Sequence, residues 1–93
     1  GFTLLSVSSR ILTPNGDGRN DSVTFTVANP ADVAVAGSFY TLRGALVAQM
    51  RPGAAQSLSW DGRAGGAVVP AGVYVYILTG GRSVVRGTVV VIR

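Results

Sequence analysis

Apolar residues recur along this chain at every second position, the period of a pleated strand with one wet face, and not at the three-to-four spacing of a helix. Residues 22–28 show it most cleanly: Val23, Phe25 and Val27 fall on one side, Thr24 and Thr26 on the other. Alternation resumes over residues 33–42 through Val33, Val35, Gly37 and Phe39, and residues 45–50 return after Arg43-Gly44 as the second arm of a hairpin. Residues 56–60 form a short strand in which Leu58 and Trp60 point the same way. Asp61-Gly62 supplies an acceptor side chain and a residue free to take positive φ, the makings of a tight turn. Pro70, which fixes φ and cannot donate to a ladder, stands just before a β-branched and aromatic run over residues 73–79. That run pairs with residues 83–92 around Gly80-Gly81. The chain shows neither helix, repeat nor linker. About seven short strands at this spacing predict an all-β, antiparallel two-sheet β sandwich. Its expected core is Val23, Phe25, Val27, Val35, Phe39, Leu58, Trp60 and Val75.

Two segments break the alternation. Near the start, Phe2 and Leu4 fall on one face while Leu5, Val7 and Ile11 fall on the other, so a single sheet surface buries all of them only with a bulge. The last strand is apolar on both sides, with Val84, Val90 and Ile92 on one and Val85, Val89 and Val91 on the other. A small sandwich ordinarily wets one face of each sheet, so this surplus predicts either a cover of loops or a protein partner. Phe2, Leu4, Val85, Val89 and Val91 are the expected interface residues. Residues 1–9 are then expected either to fold back as a first strand or to pair with a sheet edge of another copy. Repeated head to tail, the second arrangement builds a filament.

Composition narrows the function. Ninety-three residues, 47% of them hydrophobic, make one domain with a core large enough to need no disulfide or metal. Cys, His, Lys and Glu are all absent, so neither Ser-His nor Cys-His catalysis is available. The only carboxylate side chains, Asp17, Asp21, Asp32 and Asp61, sit in turns, where nothing raises the pKa of a general acid. No enzyme is expected. The net charge of +4 comes from eight arginines spread singly, without the clustered basic face or aromatic platform of a nucleic-acid binder. No apolar run reaches the length of a membrane span. Gly1 opens without a charged leader and reads as the start of a mature chain or an excised domain.

Two constellations remain as candidate sites. Asn15, Asp17, Asn20 and Asp21 gather four oxygen-bearing side chains within seven residues containing two glycines. This is either an Asx-turn loop satisfying its own amides or a weak structural Ca²⁺ site lacking the terminal bidentate Glu. Apart from that ion no cofactor is expected. Trp60 with Tyr40, Tyr74 and Tyr76 forms either core or a sugar-binding platform.

With the strands placed, a resemblance can be stated. VAGSFYTLRGALVAQM (35–50) and SWDGRAGGAVVPAGVYVYIL (59–78) resemble the immunoglobulin-like domain of flagellar hook-capping proteins, with its Trp-Asp-Gly and Pro-x-Gly-x-Tyr pair. LTPNGDGRNDSVTF (12–25) and RGTVVVIR (86–93) are similar to the gliding-motility-associated carboxy-terminal domain at the ends of large secreted bacterial proteins. The chain departs from these patterns at Thr41, where the hairpin more often carries Asp, and in having no lysine. The resemblance implies an immunoglobulin-like, non-catalytic sandwich that is extracellular or at the cell surface. It implies one domain over residues 1–93, with 1–10 an extra amino-terminal strand and 11–93 the family-like sandwich. The first functional expectation is a structural module that assembles with copies of itself or a cell-surface partner. The second is a carboxy-terminal sorting or hook-capping-like domain of a larger secreted protein, whose partner is a secretion component. The third is a carbohydrate-binding module.

Overall fold

The computed structural model describes residues 1–16, 18, 20–53 and 56–93. Its strands are β1 (Thr3–Val7), β2 (Ile11–Leu12), β3 (Val23–Ala28), β4 (Val35–Tyr40), β5 (Leu46–Gln49), β6 (Arg51–Pro52), β7 (Ser57–Trp60), β8 (Arg63–Ala64), β9 (Ala67–Val68), β10 (Gly72–Gly80) and β11 (Ser83–Val91). A four-stranded sheet runs β1-β3-β7-β6, a five-stranded sheet runs β2-β11-β10-β4-β5, and β8-β9 make a small ribbon. These orders are the A-B-E-D and G-F-C-C′ sheets of an immunoglobulin-like sandwich, with β2 beside β11 as a short extra edge strand. Among the described residues, the β2–β11 pair is the one parallel contact in an otherwise antiparallel set.

The chain leaves one sheet for the other within residues 8–10. The Ser8 backbone N–H donates to Thr24 O at 2.9 Å, while the Ser8 hydroxyl accepts from Thr24 N–H at the same distance, and this ends β1 against β3. The Ser9 hydroxyl donates to Ile11 O at 2.8 Å and accepts from Ile11 N–H at 3.1 Å, a local loop that turns the backbone toward β11. A bulge between Leu4 and Ser6 resolves the slipped alternation of the opening residues. Leu4 sits opposite Val27 and Val7 opposite Phe25, both turned inward, while Leu5 is 63% exposed. Phe2 is buried over Gly80 of the same chain. β1 thus completes its own sandwich.

An aromatic cluster joins the sheets. Phe25 and Trp60 project from the four-stranded sheet, and Phe39, Tyr74 and Tyr76 from the five-stranded one. The Phe39 and Trp60 rings stack with centroids 4.0 Å apart, Phe25 tilts onto Tyr76 at 4.7 Å, and Trp60 meets Tyr74 edge-on at 5.9 Å. Such pairs add roughly 0.5–1.5 kcal/mol each beyond the area they bury. Val23, Val27 and Leu58 are buried around them, and Val35 packs against the cluster half-buried.

The structure reverses two face assignments. In β10 the inward residues are Tyr74, Tyr76 and Leu78, so Val75 lies on the outer face and is not core. In β11 Val89 and Val91 are buried and Val85 packs against the core, so these three, with Phe2 and Leu4, do not form an outer interface. The cause is a register constraint. Tyr76 pairs with Gly87, and its ring lies where any Cβ at residue 87 would stand, which turns the odd-numbered residues of β11 inward. Arg51–Pro52 forms a further short strand of the four-stranded sheet.

Candidate functional site

The carboxylates of Asp21 and Asp61 serve the backbone. Asp21 accepts from Gly16 N–H at 3.0 Å and from Gly18 N–H at 2.7 Å, one bond to each oxygen. Asn20 takes φ of 52°, and Thr13 N–H donates to Asn20 O at 2.8 Å. These bonds tie the Asp21 side chain and the Asn20 carbonyl to the backbone of preceding residues. Asp17, the fourth member of the cluster, lies outside the described residues. Asp61 accepts from Arg63 N–H at 3.1 Å, capping its own turn.

The two sequence runs that carry the family likeness meet in space. Gly62, buried at φ 76°, packs on Leu12 and Pro14, where a Cβ would come within 3.0 Å of either side chain. Only glycine accepts both that dihedral and that approach. Pro14, Gly16, Asp21, Asp61 and Arg63 then line one recess of about 170 Å³, while the Arg63 guanidinium donates to Gly66 O at 3.4 Å. Above it, a shallow groove of about 450 Å³ runs between β5, β6 and the β8–β9 ribbon, with Arg51 and Arg63 on its walls. Trp60 forms part of its floor and donates its indole N–H to Arg63 O at 2.9 Å.

The Pro-x-Gly-x-Tyr run builds a corner at the entry to β10. The Tyr74 hydroxyl donates to Pro70 O at 2.6 Å, the bond of a tyrosine corner at the start of the sixth sandwich strand. Burial pushes the Tyr74 phenol above its ordinary pKa, because the ionised form would lose water. Tyr74, Tyr76 and Trp60 are all buried, the last 3% exposed, so they provide no platform for a sugar ring.

What remains open to solvent is the outer face of the five-stranded sheet. Across it Ile11 lies beside Val90 and Val90 beside Val73; the next rows are Thr88–Val75–Tyr40–Leu46, Arg86–Ile77–Ser38–Gln49 and Val84–Thr79–Ala36. Ile11, Leu46, Val73, Val84 and the trailing Ile92 are exposed large hydrophobics. None of them stood among the expected interface residues. The signal was in the sequence: Arg86 and Thr88 need water, which turns the even-numbered side of β11 outward and takes Val84, Val90 and Ile92 with it.

The molecule is thus an immunoglobulin-like sandwich with Asp21 and Asp61 bonded to turn backbone and with exposed apolar residues on one outer sheet face. The chain belongs to the CHU_C type IX secretion signal domain family, whose model matches residues 5–90. A domain of this family is a non-catalytic sorting module of a secreted protein, and it engages the secretion machinery. No curated protein shows a significant sequence match to the chain. The family match favours the sorting expectation over self-assembly, and β1 pairs with β3 of its own chain. The missing lysines do not remove the chain from the family. Among the described residues no helix is long and apolar enough to cross a membrane.

Proposed function

We propose that this domain is a secretion signal carried by a larger protein and that the export machinery reads it as a folded sandwich, not as a linear peptide. The carrying observation is the extent of the family match. It begins within β1 and ends within β11, the first strand and the last, so the shared feature is the assembled pair of sheets. A linear signal would need only a short run of residues. After export, the module stays outside the cell with the protein that carries it.

The test is a fusion of the domain to a folded periplasmic reporter in a bacterium possessing type IX secretion. The intact domain is expected to send the reporter into the medium or onto the surface. A Trp60→Ala version, with nearly the same composition but a disrupted core, is expected to leave it inside. Equal export of both would show that a linear segment suffices.

The loop around Asp21 belongs to this reading as a structural turn. The bonds from the Gly16 and Gly18 N–H groups supply what a cation would otherwise supply to the Asp21 carboxylate. A ligand bound only to the folded state raises the melting temperature. The melting temperature of the purified domain is therefore expected to be the same in excess calcium and in excess chelator. A fall in chelator would instead assign Asn15, Asp17, Asn20 and Asp21 to a Ca²⁺ site.

A further inference from the structure

The outer face of the five-stranded sheet combines two features that together specify a partner. It exposes Ile11, Leu46, Val73, Val84 and Ile92 among Thr and Ser, and it is free of acid. No aspartate lies between residues 33 and 60 or after residue 61, and the chain has no glutamate, so β2, β4, β5, β10 and β11 carry no carboxylate side chain. The arginines are distributed otherwise. Arg86 stands in the middle of the face opposite Ile77, Arg82 lies in the β10–β11 turn, and Arg43 in the β4–β5 turn. Arg10 immediately precedes β2, and Arg93 lies two residues beyond β11. All five are exposed. From this we infer that the outer face of β2-β11-β10-β4-β5 is the surface by which the signal domain docks, and that its partner is a folded protein presenting an apolar patch ringed by carboxylates. The inference rests on the sorting function proposed above and names the part of the domain that performs it.

Size, charge and composition favour that occupant. Strands about 4.8 Å apart and up to nine residues long, at about 3.3 Å each, make a face on the order of 20–25 Å by 30 Å. That is roughly one partner's share of a small, transient interface, about 600 Å². A second copy of the chain would bring one acid-free, arginine-bearing face against another, and like charges facing each other oppose association. A lipid surface would meet the wrong side chains. Interfacial binding draws on Trp and Phe, and here Trp60, Phe2, Phe25 and Phe39 are all inside the sandwich. A protein with an acidic rim satisfies both halves of the face: the valines lose water to its apolar centre, and the arginines steer and orient its approach.

The experiment uses two double variants matched in chemistry, in the reporter fusion described above. Val73→Thr/Arg86→Glu alters the proposed face. Leu5→Thr/Arg51→Glu removes at least as much apolar surface and makes the same charge reversal on the four-stranded sheet. The first is expected to cut export tenfold or more and the second less than twofold, while both purified domains melt within a few degrees of the unaltered one. Arg86→Lys, which keeps the charge, is expected to retain most of the export. Should the first double variant melt much lower, Ile92→Thr/Arg82→Glu at the rim of the same face carries the same expectation. If the unaltered domain itself fails to export the reporter, the sorting function falls and the docking face with it. If the unaltered domain exports it and the face variants do so equally well, the docking face alone falls. A concentration-dependent dimer of the purified domain that Val73→Thr/Arg86→Glu makes monomeric would overturn the acidic partner in favour of a second copy. Binding to phosphatidylglycerol vesicles that the same variant abolishes would overturn it in favour of a lipid surface.

Discussion

Outside the four-stranded sheet, Thr24 faces Ser59 and Thr26 faces Ser57 across β3 and β7; outside the five-stranded sheet, Val73 faces Val90 across β10 and β11 and Val75 lies beside Tyr40 of β4. Both sheets bury a comparable inner face, and both need residues that suit a pleated backbone. Threonine meets that need about as well as valine, since its branched β carbon restricts χ1 in the same way. The fold would therefore be served by hydroxyls on both outer surfaces. That one sheet uses them at its centre, while the other sets Val73, Val75, Ile77 and Val90 among its Thr and Ser, separates what the sandwich requires from what lies beyond it. The inner residues answer to packing, the Ser/Thr face to solubility, and the Val/Ile face to a contact outside the domain.

If that division holds, inner and outer substitutions should differ sharply in stability. Trp60→Ala removes the ring that stacks on Phe39 and meets Tyr74, and the surrounding rings cannot close the space. It is expected to cost roughly 3–5 kcal/mol, read as a shift of the urea midpoint. A loss below about 1 kcal/mol would place Trp60 among residues the fold does not need. A finer contrast lies within β11. Gly87→Val puts side-chain atoms where the Tyr76 ring lies and is expected to cost about 1–3 kcal/mol or more by overpacking. Thr88→Val, one residue further and turned outward, is expected to change stability by no more than about 0.5 kcal/mol. Similar losses at the two neighbours would contradict the strand phase described here.

These positions also show how far the sequence could be read. The period of two was enough for a sandwich, and Val23, Phe25, Val27, Phe39, Leu58 and Trp60 are buried as their alternation with Thr and Ser implies. The reading lost its phase where both sides of a strand are apolar, because period alone cannot then say which side is inward. Polar residues inside those strands carried the answer: Thr79 turns the odd side of β10 outward, which makes Val75 an outer residue, and Arg86 does the same for the even side of β11. The opening strand was illegible for a different reason. A bulge changes which residues share a face, and Leu5 is marked as the extra residue only once β3 supplies the register. The meeting of Gly62 with Leu12 and Pro14 depends on contacts some fifty residues apart in the chain, which no local pattern encodes.

A smaller effect is expected at the tyrosine corner, where the comparison can be sharpened by pH. Tyr74→Phe keeps the ring against Trp60 and removes only the bond to Pro70 O. It is expected to cost about 0.5–1.5 kcal/mol at neutral pH. The sign of the pH effect follows from the raised pKa of the folded form. Stability from the protonated phenol is fully present below the unfolded value of about 10 and is lost as pH rises through the folded one. The gap between the original domain and Tyr74→Phe should thus hold constant from pH 6 to 9 and narrow above pH 10. A gap that widened at high pH would show that the ionised phenol is the better accommodated form.

A small stability effect is expected where the two outer faces are exchanged in kind. Thr24→Val/Thr26→Val gives the four-stranded sheet the surface of its partner, and Val75→Thr/Ile77→Thr does the reverse. Val and Thr differ little in shape, and both pairs of positions lie outside the aromatic cluster, so each exchange is expected to move stability by no more than about 1 kcal/mol. Export should not follow stability. With Thr24→Val/Thr26→Val the reporter fusion is expected to be secreted as before, because the proposed docking face is untouched. With Val75→Thr/Ile77→Thr secretion is expected to fall several-fold, because the centre of that face has become hydrophilic beside Arg86 while the sandwich beneath it is intact. Thermal melting of the two purified variants, set beside their secreted fractions, is the measurement. Equal secretion of both would mean that the valines of the outer sheet serve neither packing nor recognition, and the division between the two faces would lose its functional half.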